Sequence, residues 1–464
     1  MEVCIGLRLG LASRRTRNPR LGRKNRRLRY SWNVAERDTE IGCAEYSYPG
    51  ELCEALELSS LVVHTNKYFK PSAESSQPTE EELERILFDM ETAYEGSHWR
   101  LPSDYFSRAA FNRAVDGLEK SSTPGYPYMK EAPTVGEWLK ATGFGEYDYV
   151  QMERLWFDTC KVMRGEWDTV LRVFIKQEPH SASKVEQNRY RLILCSPLPV
   201  QVAWQMLFSY HNDVEIAKAR KIPSQQGFKL MNGDWKRYYH DWVQRGMTWA
   251  MDKSAWDWTA PYWAIKLDLE FRFRMGRGVM MDQWRGIAEI LYRQMFETPK
   301  ILLSDGSVYR QVVPGIMKSG CVNTISTNGH CQGFVHCVVC YRANEWPHPL
   351  PRVVGDDTLS CEGHARLHGK YAEFGVVVKE IQPSIEFVGY RWTHLGLEPL
   401  YYKKHLSRFL HVTPDILADY IESIQRMYVH SVHYPFWEEA AGALVGGSRH
   451  SRAYYRYWMD YGES

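Results

Sequence analysis

No apolar run in this chain reaches the roughly 18 residues that a membrane-spanning helix needs, and its N-terminus has no apolar signal-peptide core. The expectation is a cytoplasmic protein. Cysteine, present ten times in 464 residues, lacks the dense spacing of a small disulfide scaffold, so reduced and mostly buried thiols are expected. Net charge is nearly lacking as well: 58 basic and 56 acidic side chains leave +2. The average says little about partners, and only the distribution of charge is informative.

What is present is a globular composition, 44% hydrophobic and 25% charged, on a chain long enough for a sizeable core and two or three subdomains. Between Arg8 and Arg29 the cations Arg14, Arg15, Arg17, Arg20, Arg23, Lys24, Arg26 and Arg27 run without an intervening acid. Such a stretch reads as a flexible arm, and it either holds RNA phosphates without sequence preference or serves as a leader with no part in activity.

The chain is organised around VVGDDTLS, Val353 to Ser360. Two β-prone runs flank Gly355, Asp356 and Asp357, which predicts a tight hairpin with adjacent carboxylates at its tip. Two close carboxylates repel, and a hard divalent cation such as magnesium relieves that repulsion through oxygen ligands. A solvated surface turn is the plain alternative.

Upstream, the spacing of ELERILFDMETAYE predicts a helix with Thr79 as its N-cap. SSTPGYPY, with Pro124, Gly125 and Pro127, predicts an extended turn. In LRVFIKQEPHSASKVEQNRYRLI, an apolar strand ends at Lys176 and Glu178, a polar loop carries Lys184, and Arg189 and Arg191 alternate within a second β-like run. Alternation puts both arginines on one strand face, where they line a channel for triphosphate or nucleic-acid backbone, or else pair with Glu178 or Glu186 on a solvated hairpin. Residues 192–245 read as helix and loop.

TWAMDKSAWDWTAP supplies a second acidic centre: Asp252 at the end of a strand, then Asp257, then Pro261 opening a long helix. Between the two acidic centres lies VVPGIMKSGCVNTISTNGHCQGFVHCVVC, a glycine-bearing loop running into an apolar helix. Thr324 and Asn328 share a helical face with Ser319 just before it, a set suited to hydrogen bonds with a sugar. Cys331, Cys337 and Cys340, with His330 and His336, raise a zinc site, against which stands the commoner reading of buried helical thiols.

The order of these motifs resembles that of the RNA-dependent RNA polymerases of positive-strand RNA viruses, over about residues 120 to 410. TPG at 123–125, KQE through RYR, DKSAWD, SGCVNTISTN and GDD stand in the family's sequence of motifs G, F, A, B and C. The wording is most similar to sobemovirus-like and polerovirus-like polymerases. The resemblance implies an α+β right hand, with a palm whose antiparallel sheet is like that of an RNA-recognition domain, backed by helices. Its expected parts are a basic, flexible arm (1–45), fingers (46–245), palm (246–275), a fingers insertion (276–312), palm again (313–400) and a small, mainly helical thumb (401–464).

Carried over to this chain, the resemblance implies that Asp252, Asp356 and Asp357 hold two magnesium or manganese ions. Asp257, Ser319, Gly320, Thr324 and Asn328 would contact the ribose, and Lys176, Lys184, Arg189 and Arg191 the triphosphate. Thr123, Pro124 and Gly125 would contact template RNA. YAEFGVVVKE resembles motif D, making Lys379 the proton donor to the leaving pyrophosphate, and EFVGYRW resembles the primer-gripping motif E. Beyond Leu410, TPDILADYIESIQRMY reads as a thumb helix capped by Thr413. Expected partners are template and nascent RNA, ribonucleoside triphosphates, a genome-linked protein primer and other viral replication proteins, in membrane-associated complexes of the host cytoplasm. A reverse transcriptase shares the palm but usually carries a bulky aromatic where Asp257 stands. A noncatalytic RNA-binding protein would use the arm alone and leaves the ordered motifs without a purpose.

Overall fold

The computed structural model describes residues 7–10, 45–50, 54–69, 75–143 and 145–462. The arginine-rich run from Arg14 to Arg27 lies outside the described residues. The strands that build the three larger sheets are, in chain order, β1 (Leu7–Gly10), β2 (Val170–Ile175), β3 (Leu192–Cys195), β4 (Trp249–Lys253), β5 (Lys300–Leu302), β6 (Val308–Gln311), β7 (Arg352–Val354), β8 (Asp357–Ser360), β9 (Val378–Gln382), β10 (Glu386–Phe387), β11 (Tyr390–Thr393) and β12 (Gly396–Pro399). The helices that matter to the site are α1 (Glu80–Ala93), α2 (Leu198–Lys218), α3 (Asp234–Gln244), α4 (Tyr262–Met275), α5 (Met281–Phe296), α6 (Thr324–Arg342), α7 (Glu362–Ala365), α8 (Tyr402–Phe409), α9 (Leu417–Met427), α10 (Tyr434–Val445) and α11 (Arg452–Asp460).

One sheet runs in the order β1-β6-β5-β2-β3. It joins strands from distant parts of the chain, and only β2 and β5 lie parallel. Period-2 burial explains β2: Leu171, Val173 and Ile175 face the core while the residues between them are partly open. The second sheet, β7-β8-β4-β9, is antiparallel throughout. The third is the meander β10-β11-β12.

α6 is buried from Ser326 to Cys340, all the way round. A helix buried on every side lies inside the molecule, and this one packs between β7 and the helices α1 and α4. α1 starts as its sequence predicts, with a reciprocal capping box between Thr79 and Glu82. Three cores result. The largest holds Trp99, Trp204, Trp256 and Trp284; a second gathers Trp235, Tyr238 and Trp242 of α3 against Phe387, Trp392 and Tyr455; a third packs Phe409, Ile421 and Trp437. Each such buried side chain contributes about 1.5–3 kcal/mol. In the second core α3 sits with the meander and α11, and the segment before it joins them: Phe228 packs there, and Trp242 Nε1 donates to Gln225 Oε1 at 3.0 Å.

α2, α4, α5 and α6 also share a buried polar network. Asp268 receives Arg272 Nε at 3.0 Å, Thr327 Oγ1 at 2.7 Å and Tyr292 Oη at 2.5 Å, and pairs with His330 Nδ1 at 2.5 Å. Glu215 takes the other His330 nitrogen at 2.6 Å and the Ser326 hydroxyl at 3.0 Å, while Arg272 reaches Asn212 at 3.0 Å. Burial opposes ionisation of Asp268, but Arg272 and His330 outweigh it and hold the carboxyl well below the usual range. Burial likewise opposes a charge on His330, and the Glu215 and Asp268 carboxylates raise its pKa regardless. With two anions against an arginine and an imidazolium, the network is close to neutral.

Three local expectations change. Arg189 and Arg191 precede β3 instead of alternating within it, because the Arg189 N–H closes back on the Lys184 carbonyl at 2.8 Å and the ladder becomes regular only from Leu192. α9 begins at Leu417, not at Thr413; Ile416 N–H bonds to Thr413 O at 3.3 Å and makes a turn of the Pro414 region first. The zinc set read from α6 does not assemble as such, since His330 is taken up by Asp268 and Glu215 while Cys331 and Cys337 are buried as free thiols.

Candidate active site

β7 and β8 form the expected hairpin. Val354 stands opposite Asp357, which leaves Gly355 and Asp356 as the turn, and Gly355 takes φ +60°, a conformation that side chains resist. β8 then pairs with β4, with Thr358 opposite Met251. Carrying that register one residue further sets Asp357 beside Asp252. Asp252 and Asp356 are exposed at this sheet end, and Asp357 is partly buried. Burial, then repulsion from Asp356 and Asp252, pushes the Asp357 carboxyl up to about 7, although the Val388 N–H in the β10-β11 turn bonds to it.

Two lysines answer this negative charge. Lys253 points to the other side of β4, buried, with Nζ donating to Thr358 Oγ1 at 2.9 Å. Its burial brings the ammonium down to about 7 despite Asp356, Asp252 and Asp357 nearby. Lys379 lies where the β9-β4 register shifts between Val378 and Glu380, a bulge that re-aims a side chain. Its Nζ donates to Asp252 Oδ2 at 2.8 Å, and that bond raises its pKa. Three carboxylates meeting at one sheet end, one of them pushed up by burial and by repulsion from the other two, are a donor set that fits a hard divalent cation.

On the side of α6, Asn328 Nδ2 donates to Asp257 Oδ1 at 3.1 Å, while Trp256 Nε1 fixes the amide by donating to Asn328 Oδ1 at 3.0 Å. Burial and then Asp356 push Asp257 up to about 6. The hydroxyls around this pair do not form the single polar face that helical spacing predicts. Thr324 Oγ1 bonds to the Lys318 and Cys321 carbonyls at 2.8 and 2.7 Å, and Ser319 Oγ donates to Leu192 O at 3.2 Å. Ser326 and Thr327 serve the buried network. The reason is that the loop before α6 carries carbonyls that need donors; buried Lys318 gives its ammonium to Gln311, Gly315 and Ile316, each at 2.7 Å. Gly320 lies so close to β3 that a Cβ there would stand 2.3 Å from Leu194 O.

Basic side chains form the opposite wall. Glu178 receives Arg191 at 2.9 Å, Lys176 at 3.2 Å and Lys404 of α8 at 3.6 Å. Burial would raise its pKa, but these cations hold it at about 2. Arg189 donates to Tyr68 Oη at 2.6 Å. Burial first, then Arg191, Arg189, Lys404 and Lys379, lowers the Lys184 pKa, which places one cationic cluster across both the KQE-to-RYR segment and Lys379. Arg191 also acts on Asp257. Thr123, Pro124 and Gly125 lie by the residues that follow β3: Leu198 N–H bonds to Pro124 O at 2.8 Å, at the entry to α2, and Gly125 sits against Ser196.

Sequence reasoning missed Lys253, Val388 and Lys404. Lys253 had a signal, since a strand residue following Asp252 must face the core. Val388 and Lys404 had none, because each reaches the site only through tertiary packing.

The family model of viral RNA-dependent RNA polymerases matches residues 96–341, more than half of the chain. The chain belongs to that family. Family membership carries a general dependence on divalent metal. The chain is 27% identical over 426 residues to the Poinsettia latent virus protein P2-P3, a match covering 84% of this chain but only 38% of that protein's length. It is 28% identical over 367 residues to the RNA-directed RNA polymerase of Mushroom bacilliform virus, covering 72% of this chain and 84% of that one. Its fold is similar to that of the Sicinivirus 3Dpol RNA-dependent RNA polymerase, with a TM-score of 0.67 at 15% identity over 87% of this chain and 88% of the other. The expected α+β polymerase fold and the sobemovirus-like and polerovirus-like kinship both agree with these matches.

Proposed function

We propose that this chain joins ribonucleoside triphosphates into RNA on an RNA template, with Asp252, Asp356 and Asp357 holding two divalent cations, magnesium or manganese. The observation that carries the reading is the meeting of these carboxylates on adjoining strands, faced by the cations around Glu178. When bound, such a pair of ions lowers the pKa of the attacking 3′ hydroxyl and neutralises the charge that develops on the triphosphate. On holding the ions Asp252 would give up its bond with Lys379, which, protonated, would be placed to give its proton to the departing pyrophosphate. Lys176, Lys184, Arg189 and Arg191 neutralise the incoming triphosphate, and Lys404 adds to them.

Asp257 and Asn328 recognise the ribose 2′ hydroxyl, Asn328 already oriented by Trp256. Ser319, Gly320 and Thr324 contribute by shaping the loop that borders this pair, and Thr123, Pro124 and Gly125 by meeting the template. The kinship with sobemovirus-like and polerovirus-like polymerases extends the reading to a genome-linked protein as primer. The same reading puts this chain's work in replication complexes on host cytoplasmic membranes, reached through partner proteins.

The test is incorporation of labelled ribonucleotides on a short primed RNA template with magnesium or manganese, comparing the intact chain with Asp356→Asn. Template-dependent product from the intact chain alone is expected. Equal synthesis by Asp356→Asn overturns the metal assignment.

A further inference from the structure

Behind the acidic hairpin, at the opposite end of the same elements, a second group of metal-ligating side chains meets. His336 and Cys340 lie one turn apart on α6, and His364 comes from α7, which follows directly on β8. One ligating atom of each falls within 4.8 Å of the others. We infer that this is a structural zinc site, completed by Cys361 as fourth ligand.

The spacing supports it. His336 and Cys340 stand at i and i+4 on one helical face, and Cys361 and His364 stand three apart across the start of α7, so each element presents a pair. The geometry is also that of zinc. His336 Nε2 and Cys340 Sγ are 3.6 Å apart, and Zn–N and Zn–S bonds of about 2.0 and 2.3 Å at a tetrahedral angle separate their ligand atoms by about that much. His364 is prepared as a ligand. Its Nε2 lies 2.8 Å from Trp346 O, while its Nδ1 is buried with no hydrogen-bond partner. A zinc-bound imidazole makes this arrangement, one nitrogen on the metal and the other N–H on a backbone carbonyl. His336 Nδ1 has Tyr371 Oη at 3.3 Å as its second contact, and Nε2 gives up its 2.9 Å contact with Pro347 O to bind. Cys361 interacts electrostatically with both Cys340 and His364.

Charge favours the same metal. Two thiolates and two neutral imidazoles balance one Zn²⁺, leaving no net charge beside the buried Lys253, and binding releases the two thiol protons to solvent. Nitrogen and sulfur donors exclude the hard cations that suit the aspartates. His336 lies about 12 Å along α6 from Asn328 at 1.5 Å per residue, and Cys361 immediately follows the strand that begins with Asp357. The metal thus ties the helix of Asn328 to the strand of Asp357 from behind.

Zinc content of the intact chain, purified without chelator, tests this. Roughly one zinc per chain is expected, kept in Asp356→Asn and falling at least fivefold in Cys340→Ser and His364→Ala. Should those variants not fold, the chelated intact chain is titrated with cobalt(II). A thiolate-to-cobalt charge-transfer band together with the d–d bands of tetrahedral cobalt, both abolished by added zinc, is the expected result. No zinc and no such band, or undiminished zinc in folded His364→Ala, overturns the inference. None of these readouts involves nucleotide incorporation, so the polymerase reading stands or falls separately.

Discussion

The chain holds two carboxylate centres that share α6 yet are built in opposite ways. Asp268 and Glu215 are fully buried and surrounded by Arg272, His330, Tyr292, Ser326 and Thr327, so that every charge has a partner. Asp252, Asp356 and Asp357 stand at an open sheet end and repel one another, with Lys379 paired to Asp252. A satisfied set of charges fixes how helices pack. An unsatisfied set stores an affinity for a cation that the chain itself does not supply.

Breaking each centre should therefore give opposite outcomes. Asp356→Asn should lower nucleotide incorporation by about 10³-fold or more, on the scale of losing a group that stabilises transition-state charge. Its denaturation midpoint should stay level or rise, since one repelling charge is gone. Asp268→Ala should do the reverse to stability, costing about 3–5 kcal/mol by removing the carboxylate paired with buried Arg272 and one of the two that hold His330. Urea unfolding followed by far-UV circular dichroism reads both, and a stable Asp268→Ala would show that packing alone orders the four helices.

A pH series sharpens the contrast. Asp357 has a folded pKa of about 7, above its unfolded value of about 3.9. The folded state therefore binds more protons over that interval, and this group's contribution to stability falls as pH rises from about 4 to about 7. Asp357→Asn should flatten that slope. Magnesium, binding the deprotonated form, should raise the melting temperature more at pH 8 than at pH 5; an equal rise at both would place the ion elsewhere. The smallest effect belongs to Asn328→Ala, expected to narrow the preference for ribo- over deoxyribonucleotides by about tenfold, the worth of one hydrogen bond made to a buried partner. An unchanged ratio of kcat/KM values would remove Asn328 from ribose recognition.

How much of this could be read from residues alone depended on range. The Gly355 turn, the strand ending near Asp252, the Thr79 cap and the buried helix after Asn323 all follow from periodicities within about twenty residues. That the two acidic centres meet follows from the family's motif order, and the pairing of β8 with β4 that brings them together is a fact of the structure. What escaped was set by neighbours distant in sequence. The bulge that turns Lys379 to Asp252 depends on β4, and Lys404 arrives from a helix after the meander. The hydroxyls of Ser319 and Thr324 looked free because local spacing does not show carbonyls that need a donor. Arg189 and Arg191 fitted a strand by alternation, but one backbone bond to Lys184 postponed it.

The contact at Gly320 has a mechanical consequence. With no room for a single methyl between it and Leu194 O, and with Ser319 bonded to the same strand, β3 and the loop leading into α6 cannot slide past each other. They form a rivet between the sheet of β3 and the helix that carries Asn328. Any widening of the cleft between the basic wall and the aspartates must bend the chain at some other place.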